Sequence, residues 1–194
     1  MKNPVIYRRA NGTTASEKYY RQLRLHREDG PAVTDYYETG EVSTMSWYID
    51  NELHRTDGPA FIEFFKNGEV SSELWYFDGR LHREDGPAYK DYHKGGIVVS
   101  EEYYQHGTLH NSNGPALIRY DGDGNMVFAE YCINEERHRE DGPSSIRWGE
   151  KNHVTSWKVH KNNQELDKDA FVGVVDDQGQ VLDVTQFQFI FNLL

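Results

Sequence analysis

The 194-residue chain has few of the features that mark disulfide-linked, membrane-embedded or nucleic-acid-binding proteins. Cys132 is the only cysteine, so no internal disulfide can form and a reducing compartment, the cytoplasm, is expected. No stretch approaches the roughly 18 apolar residues of a membrane span, and no apolar run near the N-terminus predicts a signal peptide. The 32 acidic residues outnumber the 21 basic ones, and the net charge of -11 disfavours direct binding to nucleic acid or to an anionic membrane.

The sequence also lacks any long segment that is free of turn residues. Turn residues interrupt the chain about every dozen positions, which leaves no room for an amphipathic helix of ordinary length. The interruptions repeat with a period of 28 residues, set by the motif LHREDGPA that begins at Leu25. The histidines of the motif keep this period at His26, His54, His82, His110 and His138. Five copies without an insertion indicate one supersecondary unit built repeatedly along the chain.

Two kinds of turn alternate with two strand-like segments in each period. After each Gly-Pro pair, apolar residues alternate as at Ile62 and Phe64, which predicts a strand with one buried face. A glycine turn follows, for example KNGE at Gly68, and then a segment with valine and paired aromatics that favours a second strand. The sequence therefore predicts an all-β fold, an elongated antiparallel sheet of about five 28-residue β-hairpin repeats.

The period ends before the chain does. We predict a repeat array over 1–166, made of a half unit, five units with the Asp-Gly-Pro turn, and a closing half unit. The segment 167–194 differs in kind and alternates phenylalanines with polar residues, including Phe187 and Phe189. We interpret it as a cap that covers the last strand edge. In the alternative interpretation it is a docking strand for a partner or for a second copy in a homodimer.

The repeated motif places a histidine near an aspartate and usually an arginine, a combination that can bind metals or catalyse reactions. Equivalent positions in successive units lie roughly 9 to 10 Å apart if each unit contributes two strands, whereas protein ligands lie about 2 Å from a zinc ion. An active site is also one asymmetric constellation rather than a ladder of equivalents. We therefore expect no metal, no cofactor and no enzymatic activity, and we assign the motif to turn formation through hydrogen bonds. The predicted structural turn residues are His26, Asp29, His54, Asp57, His82, Asp85, His110, His138 and Asp141.

The units WYIDNELHRTDGPAFIEFFKNGEV and WYFDGRLHREDGPAYKDYHKGGIV resemble variants of the MORN repeat. The resemblance covers about residues 4–166 and implies an antiparallel sheet of glycine-centred hairpins with flanking tyrosines. Proteins with variant repeats of this kind are similar to bacterial antitoxin or immunity components and to phage proteins. That similarity implies stoichiometric binding of another protein, and it supplies no catalytic residues.

Positions that differ between units are the candidates for a partner surface. Asparagines replace charged residues in the fourth turn, outward-facing positions vary at the strands, and aromatics stand at unusual positions near the C-terminus. The candidate residues are Tyr37, Phe65, His93, Asn111, Asn113, Trp157, Phe187 and Phe189.

These observations predict a non-enzymatic protein-binding repeat protein that neutralises its partner by occlusion, as an antitoxin, an immunity component or a phage anti-defence inhibitor. An acidic, tyrosine-rich face would cover a basic or active-site surface of the partner. One alternative is an acidic mimic of DNA, although Arg27, Arg55, Arg83 and Arg139 interrupt its charge. Another alternative is a protein that sequesters a small nucleotide-type ligand by aromatic stacking.

Overall fold

The computed structural model describes residues 3–140, 142–149 and 153–166. In these ranges the chain forms strands and turns and contains no helix, and therefore none that could cross a membrane. The chain folds as two compact units, Met1–Gly107 and Thr108–Leu194. The predicted cap 167–194, with Phe187 and Phe189, and the predicted turn residue Asp141 lie outside the described residues.

Strands of four or five residues alternate with pairs of two-residue strands. In Met1–Gly107 the strands are β1 (Val5–Arg8), β2 (Thr14–Lys18), β3 (Tyr20–Arg21), β4 (Arg24–Leu25), β5 (Val33–Tyr36), β6 (Val42–Ser46), β7 (Tyr48–Ile49), β8 (Glu52–Leu53), β9 (Phe61–Phe64), β10 (Val70–Leu74), β11 (Tyr76–Phe77), β12 (Arg80–Leu81), β13 (Tyr89–Tyr92), β14 (Val98–Glu102) and β15 (Tyr104–Gln105). In Thr108–Leu194 they are β16 (Thr108–Leu109), β17 (Leu117–Tyr120), β18 (Met126–Glu130), β19 (Cys132–Ile133), β20 (Glu136–Arg137), β21 (Ser145–Trp148), β22 (Val154–Lys158), β23 (His160–Lys161) and β24 (Gln164–Glu165).

The long strands pair in chain order, and every pair is antiparallel. The order is β1-β2-β5-β6-β9-β10-β13-β14 in the first unit and β17-β18-β21-β22 in the second. Within the second long hairpin of the first unit, Val33 pairs with Ser46 and Asp35 with Thr44. The all-β fold of antiparallel hairpin repeats predicted from the 28-residue period is confirmed.

The first five long hairpins turn at the glycines that the sequence marked. The register shifts by one residue just before the turn, between Asp35 and Tyr36 in the hairpin that closes at Gly40. Gly40 has a φ of 102°, in the left-handed region that glycine adopts at little cost. Because of this shift, the residue that follows the first strand of the hairpin begins the turn. In this hairpin that residue is Tyr37, whose backbone N–H donates to the Glu41 carbonyl.

This geometry corrects the predicted placement of three partner candidates. Tyr37, Phe65 and His93 were predicted to face outward from the strands, but they follow β5, β9 and β13 and open the glycine turns. The prediction assumed that successive side chains alternate strictly between the two faces of a strand. A β-bulge inserts an extra residue and interrupts that alternation.

A second hairpin, which the sequence pattern did not reveal, follows every long one. Two two-residue strands enclose two residues that both have positive φ, the geometry of a type I′ turn. The turn residues are Gln22 and Leu23, Asp50 and Asn51, Asp78 and Gly79, His106 and Gly107, Asn134 and Glu135, and Asn162 and Asn163. Each repeat therefore contains a long hairpin, a short hairpin and the segment with the Asp-Gly-Pro turn.

Small residues occupy the junction between the long and short hairpins. Ala60 follows the Asp-Gly-Pro turn and is fully buried, as are its equivalents Ala32, Ala88 and Ala116. The Ala60 N–H donates to the Leu74 carbonyl, and its own carbonyl accepts from the Trp47 N–H. The hydrogen-bond ladder thus continues past the ends of the long strands, and a larger side chain has no space at this position.

Candidate functional site

The histidine of each motif joins its repeat to the next one. His26 Nδ1 accepts a hydrogen bond from the backbone N–H of Asp50, the first residue of the following short turn, at 3.2 Å. His54, His82, His110 and His138 accept equivalent bonds at 3.3 to 3.4 Å. The next N–H of the turn, that of Asn51, donates to the Leu25 carbonyl. The bond therefore links one repeat to its successor rather than closing the histidine's own turn.

This hydrogen bond also restricts the chemistry of the imidazole. At His82 and His138, where Nδ1 accepts the N–H, the neutral ring carries its proton on Nε2. Nδ1 of His54 and Nδ1 of His110 also lie 2.8 and 3.0 Å from the side-chain oxygens of Asp78 and Asn134, contacts in which Nδ1 is the donor. In all four rings Nδ1 is engaged with the following short turn. In the described ranges, no group of three or more histidine, cysteine, aspartate or glutamate side chains could hold a metal ion.

The arginine and aspartate of the motif are committed to their own turn. The Arg55 guanidinium lies 4.2 Å over the Trp47 ring, and it donates from Nε to Asp57 and from Nη1 to the Pro59 carbonyl. Arg27 and Arg83 repeat this arrangement. The hydrogen bond from its arginine lowers the pKa of each aspartate, at Asp29, Asp57 and Asp85.

A groove of about 530 Å³ lies between the first two of these turns. Arg27, Trp47 and Arg55 are among its lining residues. Both guanidinium groups already donate to the aspartate and the proline carbonyl of their turns. The groove therefore presents arginines whose charge is largely neutralised, an unfavourable site for a phosphate.

Asparagine takes the place of this arginine in the fourth motif. Asn111 Nδ2 donates to the Pro115 carbonyl at 2.9 Å, and Asn111 Oδ1 accepts from the backbone N–H of Asn113 at 3.0 Å. The side chain of Asn111 is thus used within its turn, while Asn113 is exposed. Trp157 lies on β22 opposite Ile146 and is half-buried.

A row of carboxylates lies across the long strands of the first unit, and the sequence pattern did not reveal it. Asp35, Glu63 and Asp91 occupy the same position on β5, β9 and β13, and they pair across the ladder with Thr44, Ser72 and Ser100. Directly paired residues project from the same face of a sheet. Two strands separated by one other strand lie about 9 to 10 Å apart. We name Asp35, Glu63 and Asp91 the acidic row.

Two members of the acidic row are oriented by neighbouring hydroxyl groups. Thr44 Oγ1 donates to Asp35 Oδ2 at 3.0 Å, and Ser72 Oγ donates to Glu63 Oε2 at 3.4 Å. In the ranges that the structure describes, no lysine or arginine forms an ion pair with any of the three carboxylates. Elsewhere carboxylates are paired, as Glu101 is with Lys90 at 3.0 Å. The negative charge of the acidic row is therefore uncompensated.

Tyrosines flank the acidic row with the same period. Tyr48, Tyr76 and Tyr104 begin the first strand of successive short hairpins and are half-buried. Burial raises the pKa of Tyr48, and the negative charge of Asp35 raises it further. Burial likewise raises the pKa of Tyr76, with a smaller contribution from Tyr48. Tyr48 therefore lies beside Asp35, and Tyr76 lies beside Tyr48. Tyr104 donates from its hydroxyl to Glu102 Oε2 at 3.0 Å.

The charge of this column reverses in the second unit. Arg119 and Arg147 occupy the equivalent positions on β17 and β21, and Phe128 lies between them in the ladder. The Arg147 guanidinium lies 4.5 Å over the Phe128 ring, in a groove of about 480 Å³. The acidic row is thus a property of Met1–Gly107.

A serine and a histidine, residue types that form many catalytic pairs, lie next to each other in the second unit. Ser144 Oγ lies 2.8 Å from His160 Nδ1, and burial lowers the pKa of His160. Ser144 is fully buried, so a substrate has no access to its hydroxyl. Cys132 is also buried, and burial, followed by the charge of Glu130, raises the pKa of its thiol to about 11. These groups suit a packed interior rather than a reactive site.

Comparison with known proteins assigns no family to this chain. No family model matches the sequence, and no curated protein matches it either. The resemblance to MORN repeats stays a prediction. A functional assignment must therefore come from the acidic row and the tyrosines beside it.

Proposed function

We propose that this chain is a non-enzymatic, cytoplasmic protein-binding repeat protein that neutralises its partner by occlusion. The acidic row and its flanking tyrosines cover a basic or active-site surface of the partner. The observation that carries the proposal is the uncompensated charge of Asp35, Glu63 and Asp91 on one sheet face. Such a row attracts a basic surface and orients it during encounter. Half-buried tyrosines next to it supply the amphipathic contacts that dominate many interfaces.

The use of the motif residues supports binding rather than catalysis. His54, Arg55 and Asp57 are engaged in bonds within and between repeats, and the same bonds recur in neighbouring repeats. Repeated equivalents build a scaffold, whereas a catalytic constellation is unique within a chain. The resemblance to antitoxin, immunity and phage proteins with variant repeats favours the neutralising role. The lone, buried Cys132 fits a reducing compartment.

The two alternatives have less support from the described geometry. A DNA mimic must approach the charge density of duplex DNA, about one negative charge per 1.7 Å of axis, whereas the acidic row supplies one per roughly 9 to 10 Å. A nucleotide-type ligand needs cations for its phosphates, yet Arg27 and Arg55 at the larger groove are bonded to Asp29 and Asp57.

The test compares two triple variants of equal charge change. In the first, the acidic row is neutralised by Asp35→Asn, Glu63→Gln and Asp91→Asn. In the control, three exposed glutamates elsewhere are neutralised by Glu38→Gln, Glu84→Gln and Glu136→Gln. The tagged wild-type protein is isolated from its native host, and any protein present in stoichiometric amount is identified by mass spectrometry and purified.

We expect the acidic-row variant to bind this partner at least about tenfold more weakly, which corresponds to about 1.4 kcal/mol, and the control to bind normally. Raising the salt concentration should weaken the wild-type complex. The proposal is wrong if no protein co-purifies stoichiometrically or if the two triple variants bind equally.

A further inference from the structure

The spacing of the acidic row restricts the kind of polypeptide that can bind along it. Its members lie on every second strand, so neighbouring carboxylates are about 9.6 Å apart and the outer two about 19 Å apart. Three residues of a polyproline II helix span about 9.3 Å, and residues three apart project from the same side because the helix has three residues per turn. A basic residue at every third position of such a segment meets each carboxylate in succession.

Other regular backbones match this spacing less well. In a β-strand, residues three apart project from opposite faces, so only one of two neighbouring carboxylates is reached. In an α-helix the nearest match is seven residues, about 10.5 Å, and the mismatch over two intervals grows to nearly 2 Å. A polyproline II segment has no internal hydrogen bonds, so it can also follow the twist between successive strands.

The tyrosines provide the apolar half of such a site. Tyr48, Tyr76 and Tyr104 recur with the same 28-residue period as the carboxylates and lie on the same side of the ladder. Proline-rich segments dock in grooves lined by aromatic rings, where the rigid backbone loses little entropy on binding. A segment with a basic residue followed by two prolines therefore places cations on the acidic row and proline rings against the phenols.

An unfilled hydrogen bond at one end of the row is a second, independent indication of a ligand. Ser16 pairs with Asp35 across the ladder and is only 6% exposed, yet its Oγ has no hydrogen-bond partner among the described residues. The equivalent hydroxyls of Thr44 and Ser72 donate to carboxylates. Asp35 therefore accepts a hydrogen bond from Thr44 but none from Ser16, so the side of its carboxylate that faces β2 is left for a cation of the ligand.

We infer that the acidic row of Met1–Gly107 binds a polyproline II segment that carries lysine or arginine at every third residue. This inference rests on the proposed function and specifies the part of the partner that the row recognises. It requires that spacing, and not positive charge alone, determines affinity.

Two synthetic peptides of the same composition separate spacing from charge. One is (Lys-Pro-Pro)₄, and the other places the four lysines in one block before the eight prolines. Binding of each peptide to the full chain is measured by isothermal titration calorimetry at low salt. We expect the periodic peptide to bind about tenfold more tightly than the block peptide.

Variants assign this preference to the site. Asp35→Asn, Glu63→Gln and Asp91→Asn together should abolish the difference between the peptides, and Tyr76→Leu should weaken binding of the periodic peptide alone. The control variant with Glu38→Gln, Glu84→Gln and Glu136→Gln should retain the full preference. Circular dichroism of each variant establishes that it is folded.

Equal binding of the two peptides overturns the inference about spacing and leaves an acidic surface that binds cations generally. Absence of binding by either peptide also overturns it. Neither result alters the co-purification experiment, which uses the native partner, so the two proposals can fail separately.

Discussion

The imidazole rings of His82 and His106 stack 4.2 Å apart with 14° between their planes. The backbone N–H of His106 also donates to Nδ1 of His82. At the preceding junction the histidine faces a carboxylate instead, since His54 Nδ1 lies 2.8 Å from Asp78 Oδ1. The same backbone hydrogen bond is therefore accompanied by different side-chain contacts at successive junctions of the first unit.

Two glycines at equivalent positions should differ in their tolerance of alanine. A Cβ built on Gly58 lies 2.9 Å from Cζ of Arg55, whereas one built on Gly114 has only Asn111 Nδ2 nearby, at 3.6 Å. Gly58→Ala should displace the guanidinium from Trp47 and cost about 1 to 2 kcal/mol of unfolding free energy. Gly114→Ala should change it by less than about 0.5 kcal/mol.

A double substitution tests whether the arginine causes this difference. Arg55→Asn reproduces the side chain found at position 111, so Gly58→Ala should cost little in its presence. Urea denaturation of the four proteins completes a double-mutant cycle. A Gly58→Ala penalty that persists with Arg55→Asn would show that another contact is responsible.

Leu23 occupies a turn position that penalises its side chain. Its φ is 65° and it is 94% exposed, so it bears the strain of the left-handed region without the benefit of burial. Equivalent turns have Asn51 or Gly79 at this position. Leu23→Asn should raise the unfolding free energy by about 0.5 to 1 kcal/mol, measured by thermal and urea denaturation. Leu23→Ala, which removes the side chain but not the strain, should give no comparable gain.

The buried His160 should make stability fall in mild acid. Burial lowers its pKa in the folded chain, and the charge of Arg137 adds to this effect. The unfolded chain therefore takes up the proton first as the pH falls below about 6.5. The stability that neutral His160 contributes is complete above that value and is lost as the pH falls towards the folded pKa.

His160→Gln should flatten this dependence, because glutamine does not titrate. We expect it to cost about 1 kcal/mol near pH 8, through the bond with Ser144, and less near pH 5. Ser144→Ala removes the same bond but keeps the titrating ring, so its pH dependence should remain steep. Parallel pH profiles for the wild type and His160→Gln would refute the assignment.

The fold was accessible from the sequence because the strongest signals were periodic. Glycine turns and Asp-Gly-Pro turns at a constant interval predicted antiparallel hairpins, and the structure has them. The short hairpins were missed although pairs such as Asp78 and Gly79 are typical of type I′ turns. Gln22 and Leu23 at the first of these turns lack that signature, so the column did not indicate a turn.

The acidic row was harder to predict from the sequence, because it depends on which face of its strand each residue occupies. Asp35, Glu63 and Asp91 do recur every 28 residues, which was a usable signal. Their significance comes from two facts that spacing does not reveal, namely the hydroxyls opposite them and the absence of paired cations among the described residues. The predicted partner residue Asn111 shows the converse, because a side chain that differs between repeats proved to bond within its own turn.

The bonds between repeats have a consequence for how such a chain can change over generations. Each short turn after the first bonds to the repeat before it through the same two N–H groups, so a duplicated 28-residue segment would find suitable partners on both sides. Duplication within Met1–Gly107 would add one carboxylate and one tyrosine in a single step. The valency of the surface could thus increase by whole repeats, and avidity for a repetitive partner would increase with it.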